Sequence, residues 1–257
     1  MTRFTILMYH MISKPLSNEE VKYACPPELF DRHMSKLRQS GFNPISLKLI
    51  DDHFNLGAEI PNNSVIITLD DGFEDNYLNA LPILKKHNIP ATIFLTTGYL
   101  GATNAWMTKR GFPERKMLNW EQIQEMSQHN IEFGAHTISH PRLPEIDNEA
   151  VSNEISISKQ TIETTLGKRC NFFAYPFGLF SAENRNQVDR AGFSLACSTR
   201  SGFNTTDRDA LTLHRIEVYG NDPWWKLQQK MTFGMNDASL FYPAKYYLSR
   251  FFNRLIS

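Results

Sequence analysis

Short blocks of apolar, mostly β-favouring residues recur along the chain, and each block predicts a strand. The blocks are Thr5–Tyr9, Ser64–Leu69, Ala91–Leu95, Ile131–Ala135, Asn171–Tyr175, Phe193–Cys197 and Leu213–Ile216. Helical periods lie between them, so strand and helix alternate about seven times along the sequence. This alternation implies parallel pairing and, for a chain of 257 residues, either a barrel or an open doubly wound sheet.

The clearest helical period lies in the middle of the chain. It consists of Val151, Ile155, Ser158, Ile162 and Leu166. Asp147 or Asn148 is placed to begin this helix, and Gly167 is placed to end it. A second helix is predicted after Asn119, because Gln122 three residues later completes the pattern of a capping box.

The composition is that of an ordinary globular protein. Hydrophobic residues make up 41% and charged residues 21% of the chain, which excludes a disordered or fibrous protein. Lys and Arg total 27, as do Asp and Glu, and this balance argues against nucleic acid as the main partner, because phosphate binding favours a net basic surface. The three cysteines are spaced too widely for a disulfide framework or a zinc ribbon. Neither a repeat nor a linker divides residues 1–220.

Two segments bear on the cellular location. Residues 1–10 lack the basic region and long apolar stretch of a secretory signal, so we expect a cytoplasmic protein. Residues 88–108 carry no charge, but proline and glycine residues interrupt them. We interpret this second segment as a strand and a loop rather than a membrane span.

Polar residues follow several of the predicted strands at their carboxyl ends, which carry the functional site in parallel α/β folds. They lie in the segments 9–10, 70–72, 96–98, 136–140, 175–178 and 198–199. Charges placed directly after apolar strands are costly unless they are solvated, paired or bound to a metal. Several of them on one rim therefore indicate a functional site better than any one alone.

Two of these segments carry the residue types of a catalytic metal site. The adjacent carboxylates of Asp70 and Asp71 can project differently, so that one binds a cation while the other accepts a proton, although Asp-Asp-Gly is also ordinary turn chemistry. His136 and His140 are four residues apart, which brings their imidazoles together in a helix or tight turn, although a lone histidine is usually structural. Two histidines and one aspartate leave positions open for water, which suits catalysis better than a closed structural site.

The motifs resemble those of a known family. The matching segments are Thr68-Leu-Asp-Asp-Gly72, His136-Thr-Ile-Ser-His140 and Phe173-Ala-Tyr-Pro-Phe-Gly178. They are similar to the first three motifs of the polysaccharide deacetylases, the carbohydrate esterase family 4 group with a NodB-like homology domain. The resemblance covers about residues 4–220. The flanking segments 7–10 and 133–137 further resemble the branch that acts in bacterial exopolysaccharide pathways.

The resemblance implies both a fold and an activity. The fold is a distorted (β/α) barrel of about seven parallel strands, which we place at residues 1–225, followed by a C-terminal helical extension at residues 226–257. The activity is that of a metal-dependent hydrolase that removes N-acetyl groups from an amino sugar and releases acetate. Its partner would be an N-acetylated bacterial poly- or oligosaccharide or a lipid-linked glycan.

Site roles follow from the same resemblance, position by position. Asp71, His136 and His140 would hold a divalent metal, for which Zn²⁺ is the first expectation and Co²⁺, Ni²⁺ or Mn²⁺ are alternatives. Asp70 would be the general base that takes a proton from the metal-activated water. The backbone N–H of Phe177 would stabilise the oxyanion that develops on the acetamide.

This chain departs from the family pattern in two places. Many members carry an arginine that supports the catalytic base where this chain has Ala174, so another residue must orient Asp70. His214 is the candidate for the general acid, and a strand-end histidine without a function is the alternative. Substrate contacts are further predicted for His10, Trp106, Trp120 and Tyr175. For Trp120, packing at the start of a helix is the alternative.

The tail differs in character from the rest of the chain. Residues 241–257 contain six aromatic and three basic residues and no acidic one. This pattern is typical of a basic amphipathic helix on an anionic membrane surface, which would place the protein peripherally at the inner membrane. Docking of the same segment on the barrel or on another subunit is the alternative.

Two other functions stay open at this point. Ala174 and the weak match at His214 motivate a barrel that binds glycan but has lost the chemistry. Another metal hydrolase on a similar barrel, such as a deformylase or a phosphoesterase, would use the same side chains.

Overall fold

A curved sheet of parallel strands forms the centre of the computed structural model, which describes residues 3–239. The strands are β1 (Phe4–Tyr9), β2 (Asn43–Pro44), β3 (Ser64–Leu69), β4 (Ala91–Leu95), β5 (Ile131–Ala135), β6 (Phe172–Ala174), β7 (Leu195–Cys197) and β8 (Ile216–Glu217). Seven of them lie side by side in the order β7-β6-β5-β4-β3-β1-β8, and the short β2 pairs with the start of β3. The predicted distorted (β/α) barrel of about seven parallel strands is confirmed.

Helices follow most of the strands. They are α1 (Pro27–Gln39), α2 (Leu47–Leu56), α3 (Leu81–His87), α4 (Ala105–Thr108), α5 (Trp120–Met126), α6 (Asn148–Leu166), α7 (Ala182–Arg190) and α8 (Trp224–Phe233). The α6 helix begins and ends as predicted, because the Asp147 side chain accepts a hydrogen bond from the Ala150 N–H and Gly167 adopts a left-handed φ of 62°. The predicted capping box of Asn119 and Gln122 begins α5.

The segment after β7 closes the sheet on itself. The Leu213 N–H donates to the Ala196 carbonyl of β7 at 2.8 Å, and the Val218 N–H donates to the Met8 carbonyl of β1 at 3.0 Å. One short segment therefore bridges the first and last strands. Successive side chains of such an extended segment point to opposite faces, so that only alternate residues enter the barrel.

Apolar residues pack in two main layers, one inside the barrel and one between the sheet and the helices. The inner layer includes Phe4, Ile6, Ile66, Phe94, Phe172, Leu195 and Leu213. Gly134 of β5 leaves room for it, since a Cβ there would lie 2.6 Å from atoms of the Phe94 ring. The buried strands thus form a rigid support for the loops at their carboxyl ends.

The α8 helix packs against the barrel rather than standing apart from it. Leu227 and Met231 belong to the main hydrophobic core, and the buried Lys230 ammonium donates to the Asp222 carboxylate at 2.6 Å. The predicted domain boundary after residue 225 falls inside this helix. The predicted amphipathic tail, residues 241–257, lies outside the described residues. Within residues 3–239, no helix has the length and hydrophobicity needed to cross a membrane.

A buried histidine joins α1 to the loop before α8. His33 has no exposed surface, and its two ring nitrogens lie 3.1 Å from the Tyr9 hydroxyl and 2.9 Å from the Asp222 carbonyl oxygen. Because a carbonyl only accepts, Nε2 carries the proton and Nδ1 accepts from the Tyr9 hydroxyl. Burial lowers the His33 pKa to about 4, so the imidazole is neutral in the folded protein at neutral pH.

This neutral histidine makes folding sensitive to acid. A depressed folded-state pKa contributes stability above the unfolded pKa, and that stability is lost as the pH falls through the folded value. Between pH 7 and pH 4 the wild type should lose about 3 kcal/mol of unfolding free energy through His33 alone. His33→Gln should lack this contribution, so its unfolding free energy should fall by about 3 kcal/mol less over the same range. Urea unfolding of both proteins across this range measures the difference. Parallel pH curves for the two proteins would exclude this role.

Candidate active site

Three side chains converge at the carboxyl ends of β3 and β5. They are Asp71, His136 and His140, whose ligand atoms all lie within 4.8 Å of one another. Oδ1 of Asp71 is 3.6 Å from Nε2 of His136 and 3.4 Å from Nε2 of His140. The structure thus brings together the three residues that the motifs predict as metal ligands.

Strained backbone accompanies these residues. Asp71, Thr137, His140 and Phe177 adopt left-handed φ values of 76°, 68°, 58° and 59°. Each such conformation costs on the order of 1 kcal/mol for a residue other than glycine, and such residues cluster at functional sites. Here the strain turns the chain sharply after each strand and aims the side chains into one space.

The three side chains fit a divalent cation. His136 donates from Nδ1 to the Ala174 carbonyl oxygen at 2.7 Å, which leaves the Nε2 lone pair free to bind a metal. Burial lowers the pKa of His136 to about 4 and that of His140 well below its usual value, so both imidazoles are neutral, as metal ligands must be. Among the described residues, neither Oδ1 of Asp71 nor Nδ1 of His140 has a hydrogen-bond partner, although both atoms are buried. A cation would satisfy the partnerless carboxylate oxygen.

Asp70 lies next to this group, in a different environment. The Arg215 guanidinium donates to both of its carboxylate oxygens, at 2.6 and 2.7 Å, and both side chains are buried. Burial would raise the Asp70 pKa, but the charge and hydrogen bonds of Arg215, together with His136 and His10, outweigh it, and the pKa falls to about 2. Burial and the neighbouring Asp70 charge instead raise the pKa of Asp71 well above its usual value. The two adjacent carboxyl groups therefore have opposite electrostatic environments.

Arg215 is the functional residue that the motifs missed. It enters the barrel from the closing segment, and its Nε donates to the Ser198 carbonyl at 2.9 Å. It orients Asp70 in a chain that has Ala174 where many family members have an arginine. A signal was present in the sequence, since an arginine within an apolar strand needs a buried acidic partner.

A cavity of about 200 Å³ opens over the site. Besides Asp70, Asp71 and the two histidines, its walls include His10, Lys22, Tyr23, Trp106, Arg110 and Phe177. The Trp106 indole stacks on the His140 ring with centroids 5.5 Å apart. The Phe177 ring contacts the same imidazole edge-on at 4.6 Å. Among the described residues, the backbone N–H of Phe177 donates to no acceptor, so it is available to a ligand.

A buried ion pair joins two walls of the cavity. Arg115, which precedes α5, donates from Nε and Nη2 to the two carboxylate oxygens of Glu20 at 2.9 and 2.6 Å. Glu20 is fully buried and lies in the β1–α1 loop that also carries Tyr23. The pair therefore fixes this loop against the segment that joins α4, which carries Trp106, to α5.

Three predicted site residues do not reach the cavity, and their assignments are corrected. Tyr175 is buried on the helix side of the sheet, where its hydroxyl donates to the Leu211 carbonyl at 3.0 Å. Trp120 packs against the main hydrophobic core at the start of α5. His214 points away from the barrel interior, and Arg208 donates to its Nε2 at 2.9 Å.

The comparisons with known proteins agree with this geometry. The sequence pattern of the family described as polysaccharide deacetylase matches residues 57–196, more than half of the chain. The chain belongs to this family. Its members supply the expectation of a deacetylase, and the matched range contains both carboxylates and both histidines of the site.

Several relatives align over most of this chain. It is 26% identical to the poly-beta-1,6-N-acetyl-D-glucosamine N-deacetylase of Staphylococcus epidermidis, over 82% of this chain and 78% of that protein. The structure of the Streptococcus pyogenes deacetylase PplD in complex with acetate is 28% identical, with a TM-score of 0.77 over 90% of this chain and 98% of that one. The structure of IcaB from Ammonifex degensii is 25% identical, with a TM-score of 0.73 over 90% and 97% of the two chains. Together with the family match, these similarities support deacetylation of glycans.

Proposed function

We propose that this protein is a metal-dependent N-deacetylase that hydrolyses the acetamide of an N-acetylated amino sugar in a bacterial glycan. The observation that carries the proposal is the joint placement of Asp70 and the Asp71, His136 and His140 group on one cavity. Asp71, His136 and His140 would hold a divalent cation, Zn²⁺ by first expectation, which would supply Lewis-acid chemistry when bound, polarising a carbonyl and lowering the pKa of water. The protein supplies the ligands, a base and hydrogen-bond donors.

Asp70 is suited to accept the proton from the attacking water. Its carboxylate stays ionised because Arg215 holds it by two hydrogen bonds, and it borders the cavity. Each of its oxygens keeps a second lone pair for a water molecule. We assign to the Phe177 N–H, which donates to no acceptor among the described residues, the role of donating to the oxyanion that forms as the acetamide carbonyl is attacked.

We assign delivery of a proton to the departing amine to His10 rather than to His214. The His10 side chain lines the cavity, whereas His214 is held outside it. Burial lowers the His10 pKa, and the Asp70 carboxylate partly opposes that shift. The charge of Asp70, the proposed base, therefore acts on the His10 imidazole. A proton taken from water by Asp70 would have to reach this imidazole.

A substrate panel tests this function against the two alternatives. The zinc-loaded protein should release acetate from N-acetylglucosamine oligosaccharides faster than it releases formate from N-formyl sugars or phosphate from phosphate esters. Glycan binding without release of any acyl group would support a binding barrel without chemistry. Faster release of formate or phosphate would assign the site to another hydrolase.

Asp71, His136 and His140, called the metal group below, allow a prediction about Zn²⁺ binding that does not depend on turnover. His136→Ala should weaken Zn²⁺ binding by more than about 100-fold, since losing an outer partner of a metal ligand alone costs about 10- to 100-fold. His129→Ala is the matched control, because His129 lies beside Lys85 and outside the group. Isothermal titration measures both affinities. Equal Zn²⁺ affinity in wild type and His136→Ala would remove this histidine from the site.

The cytoplasmic location and the peripheral membrane contact through residues 241–257 remain part of the proposal. The membrane contact rests on the charge and aromatic pattern of that segment. A membrane-bound enzyme would meet lipid-linked glycans at the surface where they are held.

A further inference from the structure

Arg110 is a cationic side chain on the cavity wall with no acidic partner among residues 3–239. Its guanidinium carbon lies 5.6 Å from the centroid of the Phe112 ring and 5.2 Å from that of the Phe177 ring. These contacts with two aromatic rings hold the group in place without neutralising its charge. Its hydrogen-bond donors therefore remain available to a ligand.

The other charges that line the cavity are already used. Lys22 pairs with Glu217 at 2.9 Å, and Asp70 is held by Arg215. Asp71 belongs to the metal group. No carboxylate of the cavity is thus ion-paired with Arg110, although the Arg110 charge acts on Asp71, and a divalent cation at the metal group would make the surroundings more positive still.

A second arginine strengthens the positive charge at the same wall. The Arg142 guanidinium lies 4.8 Å from the Phe177 ring centroid, and its own acidic neighbour, Glu145, is 3.6 Å away on the exposed surface. Such an exposed pair is weak and screened by water. The Phe177 ring thus contacts two guanidinium groups and, at 4.6 Å, the His140 imidazole.

Resting on the proposed deacetylation, we propose that the substrate carries an anionic group, a phosphate ester or a carboxylate, on the reacting sugar or the adjoining one, and that Arg110 binds it. The Phe177 ring lies 5.2 Å from the Arg110 guanidinium carbon and 4.6 Å from the His140 ring, so the anion would lie beside this ring. Arginine suits this role because its planar fork donates two parallel hydrogen bonds to phosphate or carboxylate oxygens. A neutral glycan would leave this exposed guanidinium without an anionic partner in the cavity.

Binding of three monosaccharides tests the proposal without requiring turnover. The probes are N-acetylglucosamine 1-phosphate, N-acetylmuramic acid and methyl N-acetylglucosaminide, titrated by NMR into the zinc-loaded full-length protein. Arg110→Gln should weaken binding of one or both anionic probes by about tenfold and that of the neutral glycoside by less than about twofold. The probe that loses more affinity identifies phosphate or carboxylate. Lys109→Gln is the matched control, since this exposed neighbour lies outside the cavity and its loss changes the net charge equally.

The outcomes separate this inference from the proposed function. Arg110→Gln proteins that bind all three probes as the wild type does would overturn the role of Arg110, whether or not acetate is released. Failure of the wild type to release acetate from any probe or oligosaccharide would instead overturn the deacetylase activity. A tenfold loss in Lys109→Gln as well would show that only the overall charge matters, and would also contradict the proposal.

Discussion

Replacing Arg215 by methionine should lower the free energy of unfolding by about 3–5 kcal/mol, because it leaves the Asp70 carboxylate buried without its ion partner. Methionine keeps much of the side-chain volume, so the loss reports the charge rather than a cavity. Burial, no longer opposed by the Arg215 guanidinium, should raise the Asp70 pKa. Denaturant unfolding monitored by circular dichroism measures the change.

The double variant Asp70→Asn/Arg215→Met isolates the interaction between the two side chains. Because it removes both charges, it should be more stable than Arg215→Met alone. Arg185→Met is the matched control, since Arg185 also binds a carboxylate with two hydrogen bonds, to Asp209, but at the exposed surface. That control should lose less than about 1 kcal/mol. A similar loss of unfolding free energy in both single arginine variants would show that the buried pair contributes no more to stability than the exposed one.

Asp70→Asn should lower kcat for acetate release by about 10²- to 10⁴-fold, the usual contribution of a positioned general base. The amide has nearly the same shape as the carboxylate, but it cannot take a proton from water. Zn²⁺ stoichiometry should stay unchanged, because Asp71, His136 and His140 remain in place. Acetate release and metal content are measured on the same folded sample.

Two variants separate the base from its support. Arg215→Lys retains a positive charge near Asp70 but loses the two parallel hydrogen bonds, so it should keep more activity than Asp70→Asn. Undiminished turnover in Asp70→Asn would mean that another group accepts the proton. Loss of bound zinc in Asp70→Asn would mean that Asp70 supports the metal group rather than the proton transfer.

The sequence predicts those parts of the fold that depend on local patterns. The bounds of β3, β4 and β5 match the predicted strands, since each is a mostly apolar, β-favouring run followed by polar residues. The metal group was also predictable, because its members lie in two short motifs, one after β3 and one after β5, the strands on either side of β4. The spacing within each motif indicated the candidate ligands, and the family resemblance assigned a role to each of them.

Arg215 and His214 show why the rest of the site was harder to predict. Asp70 and Arg215 are 145 residues apart, so no local spacing links them. The last motif drew attention to His214, whereas strand alternation directs Arg215 into the barrel and His214 away from it. Trp120 and Tyr175 lie near the predicted site along the chain, but tertiary packing turns both side chains toward the hydrophobic core. Which face a residue takes is settled by the closed barrel and not by the motif around it.

Metal-dependent acetate release tests the central claim most directly. Wild-type protein is treated with a chelator, assayed on an N-acetylglucosamine oligosaccharide, and assayed again during titration with Zn²⁺. The proposed site predicts that acetate release disappears with the metal and returns in proportion to occupancy, reaching its maximum at one Zn²⁺ per chain. Acetate release that continues unchanged in metal-free protein would contradict a hydrolase built on Asp71, His136 and His140.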